Sequence, residues 1–336
     1  MYYFIINPKS KSGQAMGLWR NIKKELEIKK SIHSYVKSIS RIGLSHTSGE
    51  EYRHHSMDYR YVFTRYPGHI TEIMKRLTAS KKPKHIVIIG GDGSFNEAIN
   101  GLKNPYLHRI SFLPSGSGND LARSLNLPDQ PKKLLAKILD AEKNNTISLD
   151  LGSSCFYQNG KRKKRLFAIS NGIGFDAAIC EDINQSRLKK LLNQLHIGKL
   201  AYPLIGIKQL FLWKPQQALL YIDEKQEPMI LNRFLFLSAH IHPFEGGGFP
   251  FCPDADYQDG LLDLCVVSDI TRGKALTLIP LAKQGRHVGQ PGIQIIRCKK
   301  ARIELEYPVP VHTDGEVSCH SKVLDISTYP EKIHMI

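Results

Sequence analysis

The chain has 336 residues, more than one compact core usually holds, so two domains are expected. Hydrophobic residues make up 41%, an ordinary globular share that excludes a largely disordered protein. Lys and Arg outnumber Asp and Glu by 47 to 31, a net charge of +16, and such a surplus favours polyanions: nucleic acid, nucleotides or an anionic membrane.

The first part alternates strand and helix signals. Tyr2-Tyr3-Phe4-Ile5-Ile6 reads as a buried strand closed by Asn7-Pro8, and Trp19, Ile22 and Leu26 then recur at offsets of three and four, the spacing of one helix face. The polar stretch Leu44 to Asp58 reads as a surface excursion. Tyr61-Val62-Phe63 is a short strand, and Ile70, Ile73, Met74 and Leu77 mark a second helix stripe. His85 to Ile89 is a third strand with a helix-like run, Asn96 to Leu102, beyond it; Ile110 to Leu113 is a fourth strand; Leu134, Leu135, Ile138 and Leu139 form another amphipathic helix. This alternation predicts an α/β domain over residues 1–145, a doubly wound sheet whose ligands bind beyond the carboxyl ends of the strands. Three loops lie at those ends: Asn7 to Gly13, Gly90 to Asn96 and Pro114 to Asp120.

After about Thr146 short strand-like runs alternate with turn residues: Ile147 to Leu151, Leu166 to Ser170, Ala218 to Ile222, Phe234 to Ser238, Leu261 to Val267, Arg302 to Glu306 and Val323-Leu324. They predict an antiparallel β-sandwich or barrel over 146–336, interrupted by a helical stretch, Arg187 to Trp213. That stretch mixes leucines with lysines and suits either an anionic surface or packing on the sandwich. The basic run Lys161-Arg162-Lys163-Lys164-Arg165 follows Asn159-Gly160 and reads as a solvated hairpin tip.

Six cysteines, at 155, 180, 252, 265, 298 and 319, include no CxxC pair, and Tyr2 to Asn7 is a strand rather than a secretory leader. No apolar run reaches the roughly 18 residues that cross a bilayer. Reduced thiols, a cytoplasmic location and only peripheral membrane contact are expected.

The chemistry concentrates in the strand-end loops. In Gly90-Gly91-Asp92-Gly93-Ser94 an apolar strand runs into glycines, whose missing Cβ atoms let a phosphate chain approach backbone N–H groups at the head of a helix. Pro114-Ser115-Gly116-Ser117-Gly118-Asn119-Asp120 repeats the character, and Ser94 and Ser117 add hydroxyl donors. Asp92 and Asp120 supply oxygen ligands for a nucleotide-bound magnesium, although Asp120 also suits the N-cap of a helix starting at Leu121. Asp254 to Gly260 lacks the spacing of a calcium hand, and His240-Ile241-His242 reads as two strand residues rather than a zinc site. The chain carries no GxxxxGK(S/T), GxGxxG, HRD, GxSxG or HExxH pattern, and no RNP, zinc-finger or helix-turn-helix signature, so nucleic acid is not the expected partner.

Taken in order, these segments resemble the diacylglycerol and sphingosine lipid kinases. Gly90-Gly91-Asp92-Gly93-Ser94 looks like the GGDGT motif, with Ser94 in place of Thr, and Asn96-Glu97 and Pro114 to Ala122 continue the match. Asn7-Pro8-Lys9-Ser10-Lys11-Ser12-Gly13 is similar to the NPxSG loop, interrupted by Lys11. Ser170-Asn171-Gly172-Ile173-Gly174-Phe175-Asp176, Gly246-Gly247-Gly248 with Pro253 to Leu264, and His312-Thr313-Asp314-Gly315-Glu316 follow in the family's order. The resemblance implies a two-domain lipid kinase with a phosphofructokinase- and NAD-kinase-like nucleotide domain and a β-sandwich substrate domain, the last residues packing back on the first. It implies ATP and Mg2+ as cofactors and a lipid substrate at the cytoplasmic face of an anionic membrane; a homodimer is left open. By the same resemblance Asn7, Pro8, Lys9, Ser10, Thr64, Gly90, Gly91, Asp92, Gly93, Ser94, Asn96, Glu97, Gly116, Ser117 and Asn119 would bind ATP. Asp92, Asp120 and Glu316 would gather around the nucleotide's magnesium, and Asp256, Asp259 and the Leu261 carbonyl around a structural one. Asp314, Glu316 and Asp92 would carry the chemistry, one acid of the Asp314-Gly315-Glu316 segment taking the proton of the lipid hydroxyl. From the residues alone that segment reads as a tight hairpin turn in preference to a catalytic element. The expected activity is transfer of the γ-phosphoryl group of ATP to a lipid, with diacylglycerol the leading acceptor. The competing readings are a kinase of a sphingoid or other lipid, a kinase of a soluble substrate such as a nicotinamide dinucleotide, and a non-catalytic membrane binder.

Overall fold

The computed structural model describes residues 1–41, 58–116, 118–140, 146–158, 160–185 and 201–336. The surface excursion up to residue 57, the helical stretch before Ala201, and Ser117 lie outside the described residues. The chain divides into two compact units. Met1–Ser117, Leu127–Ile147 and Ile333–Ile336 make the first; Gly118–Asn126 and Ser148–Lys332 make the second. Two short segments thus cross the sequence boundary near residue 145, and one of them carries Asp120.

In the first unit β1 (Tyr2–Ile6), β2 (Tyr59–Phe63), β3 (Lys84–Gly90) and β4 (His108–Pro114) pair in parallel in the order β2-β1-β3-β4. The strand Ile333–Met335 adds to β4, also in parallel. Parallel strands need crossovers, and the helices α1 (Gln14–Arg41), α2 (His69–Leu77), α3 (Asp92–Gly101) and, after the second unit's short α4 (Asp120–Ser124), α5 (Pro131–Leu139) provide cover for the sheet. The helix stripes read from the sequence are buried in large part: Trp19, Ile22 and Leu26 of α1 and Leu134, Leu135 and Ile138 of α5 pack on Phe4, Ile6, Val87 and Ile89. The α3 helix begins four residues earlier than its apolar pattern suggests, because Gly91 acts as N-cap and Asp92-Gly93-Ser94 form its first turn rather than a loop.

The chain enters the second unit at the short strand β5 (Ile147–Leu149). A ten-stranded antiparallel sheet follows, built on β6 (Gly152–Gln158), β7 (Lys161–Phe167), β8 (Ser170–Gly174), β9 (Gln216–Ile222), β10 (Met229–Phe234) and β11 (Phe236–His240). A small hairpin, β12 (Phe244–Glu245) with β13 (Phe249–Pro250), precedes β14 (Leu262–Val267), β15 (Ile293–Cys298), β16 (Lys300–Thr313) and β17 (Glu316–Thr328). The long β16 serves two neighbours: Ala301–Leu305 pair with β9 and Val311–Thr313 with β8, and its pairing with β17 shifts register between Glu304 and Val309. The core clusters Phe167, Phe234, Leu237, Leu264, Ile303 and Leu324. The six cysteines are free thiols, and no described helix is long and apolar enough to cross a membrane.

Two imidazoles make stability depend on pH. Burial drives His85 down to about 4, with the Arg109 charge adding to it, and His242 down to about 3. His85 packs against Tyr2 in a tilted ring contact with centroids 4.5 Å apart and meets Ser111 Oγ at 2.8 Å, so it has a role as a neutral ring. An unfolded imidazole takes its proton near about pH 6.5, whereas these rings refuse it in the folded chain, so the unfolded state gains from acidification first. Melting temperature is therefore expected to fall as pH drops from about 7 to about 5, and His85→Gln should flatten that slope. A melting temperature that rises over this range, or a slope indifferent to the substitution, would contradict the assignment.

Candidate active site

The three strand-end loops of the first unit hold one another. Asn7 N–H bonds Ile89 O at 2.9 Å, and Ser115 N–H bonds Gly90 O at 2.7 Å. The buried Ser10 hydroxyl donates to Ser115 O at 2.8 Å, and Asn7 Nδ2 donates to Ser94 Oγ at 3.0 Å. A Cβ on Gly91 would stand 3.2 Å from Gly116 Cα, and one on Gly90 would strike Ser94 at 2.4 Å. Backbone thus meets backbone. At the head of α3 the Ser94 and Phe95 N–H groups return to Gly91 O at 2.9 and 3.1 Å, which leaves the Asp92 and Gly93 amides ahead of the first helical bond. This backbone surface and the positive end of a ten-residue helix fit a polyphosphate.

Other members of the expected nucleotide set have different duties. Both oxygens of Glu97 cap α2, accepting Gly68 N–H at 2.9 Å and Ile70 N–H at 3.1 Å. Asn96 is fully buried and its carbonyl accepts from Asn100. Thr64 continues the sheet through its N–H to Ile6 O. Lys9 is exposed beside the half-buried Pro8, its N–H on Asn7 Oδ1, and Lys11 adopts φ +45° in the 3-10 turn Ser10–Gly13. Gly116 sits against Gly91, while Asn119, at φ +53°, is the N-cap of α4 in the second unit.

In the second unit Asp120 is the first residue of α4 rather than its cap. One oxygen binds Arg123 at 2.6 Å and the other accepts Gly247 N–H at 2.8 Å. Burial raises its pKa, and the Gly247 N–H and Arg123 work against that rise. Arg123 lies over the Phe244 ring and fills the space that a Cβ on Gly248 would need. Arg123 and the Gly247 N–H thus take one Asp120 oxygen each, whereas Glu316 is exposed and its carboxylate chemistry suits a magnesium ion. The acids expected around a structural magnesium serve their own turn. Asp256 accepts Gln258 N–H at 2.9 Å, Asp259 accepts Leu261 N–H at 2.9 Å, and Arg297 pairs with Asp259 and Asp263. With Arg297 supplying the positive charge, this donor set does not fit a second ion.

Asp314 and Gly315, at φ +49° and +79°, form the two-residue turn between β16 and β17, and Thr313 pairs with Glu316 across it. The Asp314 carboxylate is tightly oriented: Oδ1 accepts Ile169 N–H at 2.8 Å and Ser170 N–H at 3.0 Å, and Oδ2 accepts Ala168 N–H at 3.0 Å. The segment is both hairpin turn and candidate catalytic element.

Behind this turn lies a cluster that sequence reasoning missed. Sheet register sets Ser238 of β11, Gly172 of β8 and His312 of β16 directly opposite one another, and His240 opposite Ser170. His312 Nε2 lies 3.0 Å from Glu245 Oε1 and 3.1 Å from Asp176 Oδ2; Glu245 Oε2 accepts Ser238 Oγ at 2.7 Å and faces His240 Nε2 at 3.3 Å. All are buried. Against the cost of burial, the two imidazoles and the Ser238 hydroxyl hold the Glu245 pKa down at about 2, and the carboxylates raise that of His312; burial raises Asp176. A Cβ on Gly172 would fall 1.9 Å from Asp176 Oδ2 and 2.3 Å from His312 Nε2. Asp176, Glu245 and His312 present donor atoms within 4.8 Å of one another, the spacing of a cation seat. The two carboxylates that raise the His312 pKa keep its ring protonated at Nε2, however, where a cation would bind. The group is a hydrogen-bonded triad. Its one sequence signal is the glycine in a strand of otherwise buried residues.

The comparisons agree with this architecture. The diacylglycerol kinase catalytic domain family matches residues 43–153, and the YegS C-terminal NAD kinase beta sandwich-like domain matches residues 169–336. YtlR of Bacillus subtilis strain 168, which carries a lipid kinase name, is 27% identical over 319 residues, 94% of this chain and 93% of that one. A Mycobacterium tuberculosis diacylglycerol kinase is 27% identical over 251 residues, 75% and 76% of the two chains. A Bacillus anthracis crystal structure described as a diacylglycerol kinase superposes with a TM-score of 0.61 at 18% identity, covering all of this chain and 96% of that one, which shows the fold. Fold and site together define a two-domain phosphotransferase with an α/β and a β-sandwich-like part. The chain belongs to the lipid kinase family of the diacylglycerol kinases and YegS-like proteins.

Two substitutions separate structural from chemical duties. Glu97→Ala removes the acceptor of two α2 N–H groups and should cost about 1–2 kcal/mol in denaturant unfolding, as loss of a helix cap does. Gly172→Ala forces a methyl group into the triad and should cost about 1–3 kcal/mol, the range for overpacking a filled interior. Wild-type unfolding midpoints in both would contradict these roles.

Proposed function

We propose that this lipid kinase transfers the γ-phosphoryl group of ATP, as its magnesium complex, to the hydroxyl of diacylglycerol, giving phosphatidic acid. The observation that carries the nucleotide half is the bare backbone where Gly91 faces Gly116 at the head of α3. There the Gly93 amide and the Ser94 hydroxyl, which accepts from Asn7 and keeps its own proton to donate, bind phosphate oxygens. Magnesium, when bound, would take Asp92 as an oxygen ligand and would spread the charge that develops on the transferring group. The acceptor oxygen forms its bond to the γ-phosphorus as the bond to the bridging oxygen breaks and ADP leaves. The hydroxyl proton passes to a carboxylate, for which Asp314 is our candidate; the three N–H groups that orient it support that choice.

The work takes place at an anionic membrane surface. Lys161, Arg162, Lys163 and Lys164 are exposed on β7, an edge strand, and the helix Ala201–Leu212 exposes Phe211 and Leu212. Basic side chains near acidic lipids contribute about 1 kcal/mol each, enough in number to hold a peripheral protein.

Incubating the protein with Mg·ATP and a total lipid extract, then identifying the phosphorylated species by mass, tests the reading. Phosphatidic acid is the expected product. A different phosphorylated lipid would replace diacylglycerol as acceptor, and label found only in water-soluble products would overturn the lipid assignment for this chain. Asp314→Asn and Asp92→Asn should each lower kcat by at least about a hundredfold in folded protein, the lower range for loss of an acid–base group; near-normal turnover in either would remove that residue from the chemistry.

A further inference from the structure

The loop from Asp254 to Gly260 collects negative charge between two basic side chains. Asp150, close to the start of the second unit, is buried; its Oδ2 accepts Gly260 N–H at 2.7 Å, and its own N–H donates to Tyr257 O at 2.8 Å. Its other oxygen, Oδ1, lies 2.8 Å from Lys332 Nζ, and the same ammonium donates to Gln258 O, also at 2.8 Å. Lys332 is the last residue of the second unit, so one cation ties the entry, the loop and the exit of that unit together. Arg297 of β15 stands opposite Asp263 of β14 in the sheet register and pairs with Asp263 and with Asp259 of the loop. The acids need this counter-charge: burial raises the Asp263 pKa against the Arg297 charge, and Asp259, Asp254 and Asp256 raise it further. The oxygens around Lys332 are spaced for an ammonium. They stand at charge-assisted hydrogen-bond length, whereas magnesium draws its oxygens in to about 2.0–2.1 Å in an octahedral shell. One ammonium also balances the one buried carboxylate that it touches.

We propose that this chain supplies its own cations at the loop: the Lys332 ammonium, together with the Arg297 guanidinium, takes the place of the second magnesium ion that the family resemblance implies. The second unit is then assembled without a divalent ion, and the enzyme's magnesium requirement is that of its nucleotide alone. Lys332 reaches Gln258 across 74 residues and Arg297 reaches Asp259 across 38, so the spacing of the acids carries no record of either cation. The magnesium requirement rests on the proposed nucleotide site; the assembly of the second unit does not.

Melting temperature in Asp92→Asn protein, which lacks the oxygen ligand proposed for the nucleotide's ion, reads the second site by itself. Without nucleotide it should be the same in EDTA and in millimolar Mg2+. Lys332→Ala, added to that background, bares the Asp150 carboxylate and should melt well below it in EDTA. Mg2+ should then raise the melting temperature of the Lys332→Ala protein, because the freed oxygens bind an ion in the folded state only. A melting temperature that drops in EDTA with Lys332 in place would overturn the proposal. So would a Lys332→Ala protein that melts unchanged, or one whose melting temperature Mg2+ fails to raise. If Lys332→Ala folds in neither buffer, Arg297→Ala is judged by the same three results. Initial rates of the wild type at saturating Mg·ATP give a second readout. They should stay flat as free Mg2+ is raised, and a further several-fold rise would overturn the claim on the magnesium requirement. Absence of any phosphoryl transfer would remove the nucleotide reading and leave the melting result to decide this one.

Discussion

The structure depends on places where a Cβ is missing and two polar or backbone surfaces come closer than side chains allow. At Gly91 the loop after β3 lies against Gly116 of the loop after β4, so the rim of the parallel sheet consists of peptide groups. At Gly172 the gap in β8 lets Asp176 and His312 meet inside the sheet, among the buried polar side chains of Ser238, His240 and Glu245. An added Cβ would press within 3.2 Å of Gly116 Cα at the first contact and would collide with Asp176 and His312 at the second. The first creates a surface complementary to phosphate oxygens; the second makes room for a buried hydrogen-bonded triad.

Polar residues in this chain divide sharply into those that hold backbone and those that remain to act. Glu97, Asp256, Asp259 and Asp120 have the composition of a binding site, yet each is occupied by N–H groups or by Arg123 and Arg297. Asp314 belongs to both groups, since the same N–H donors that stabilise the turn also aim the carboxylate. Such double use is economical in a small two-residue turn, where the position of one side chain and the path of the backbone are not independent.

The sequence made the α/β pattern, the strand-end loops and the antiparallel second half legible because each rests on short-range periodicity: Trp19, Ile22 and Leu26 at helical offsets, and Phe4 to Ile6 as a buried strand. It misplaced the start of α3 because capping by Gly91 overrides the helix-like pattern that begins only at Asn96. It did not show that the Glu97 carboxylate accepts from the N–H of Gly68, 29 residues away, because a motif carries no information about which neighbour a carboxylate will reach. The triad of Asp176, Glu245 and His312 was invisible for the same reason. Its members are brought together by strand register, 136 residues apart in the case of His312 and Asp176, and no local spacing records that. The division of the chain was legible near residue 145 but not in detail, since Gly118–Asn126 groups with the second unit by long-range contacts alone.

Calorimetric titration with ATP, in the presence and absence of Mg2+, tests the central claim most directly, because it reads the phosphate surface without requiring an acceptor. The account predicts one saturable site per chain, weakened when magnesium is withheld and lost when Gly91 is replaced by valine in a chain that still folds. No detectable heat with Mg·ATP at millimolar concentration, or undiminished binding to the Gly91→Val protein, would contradict it.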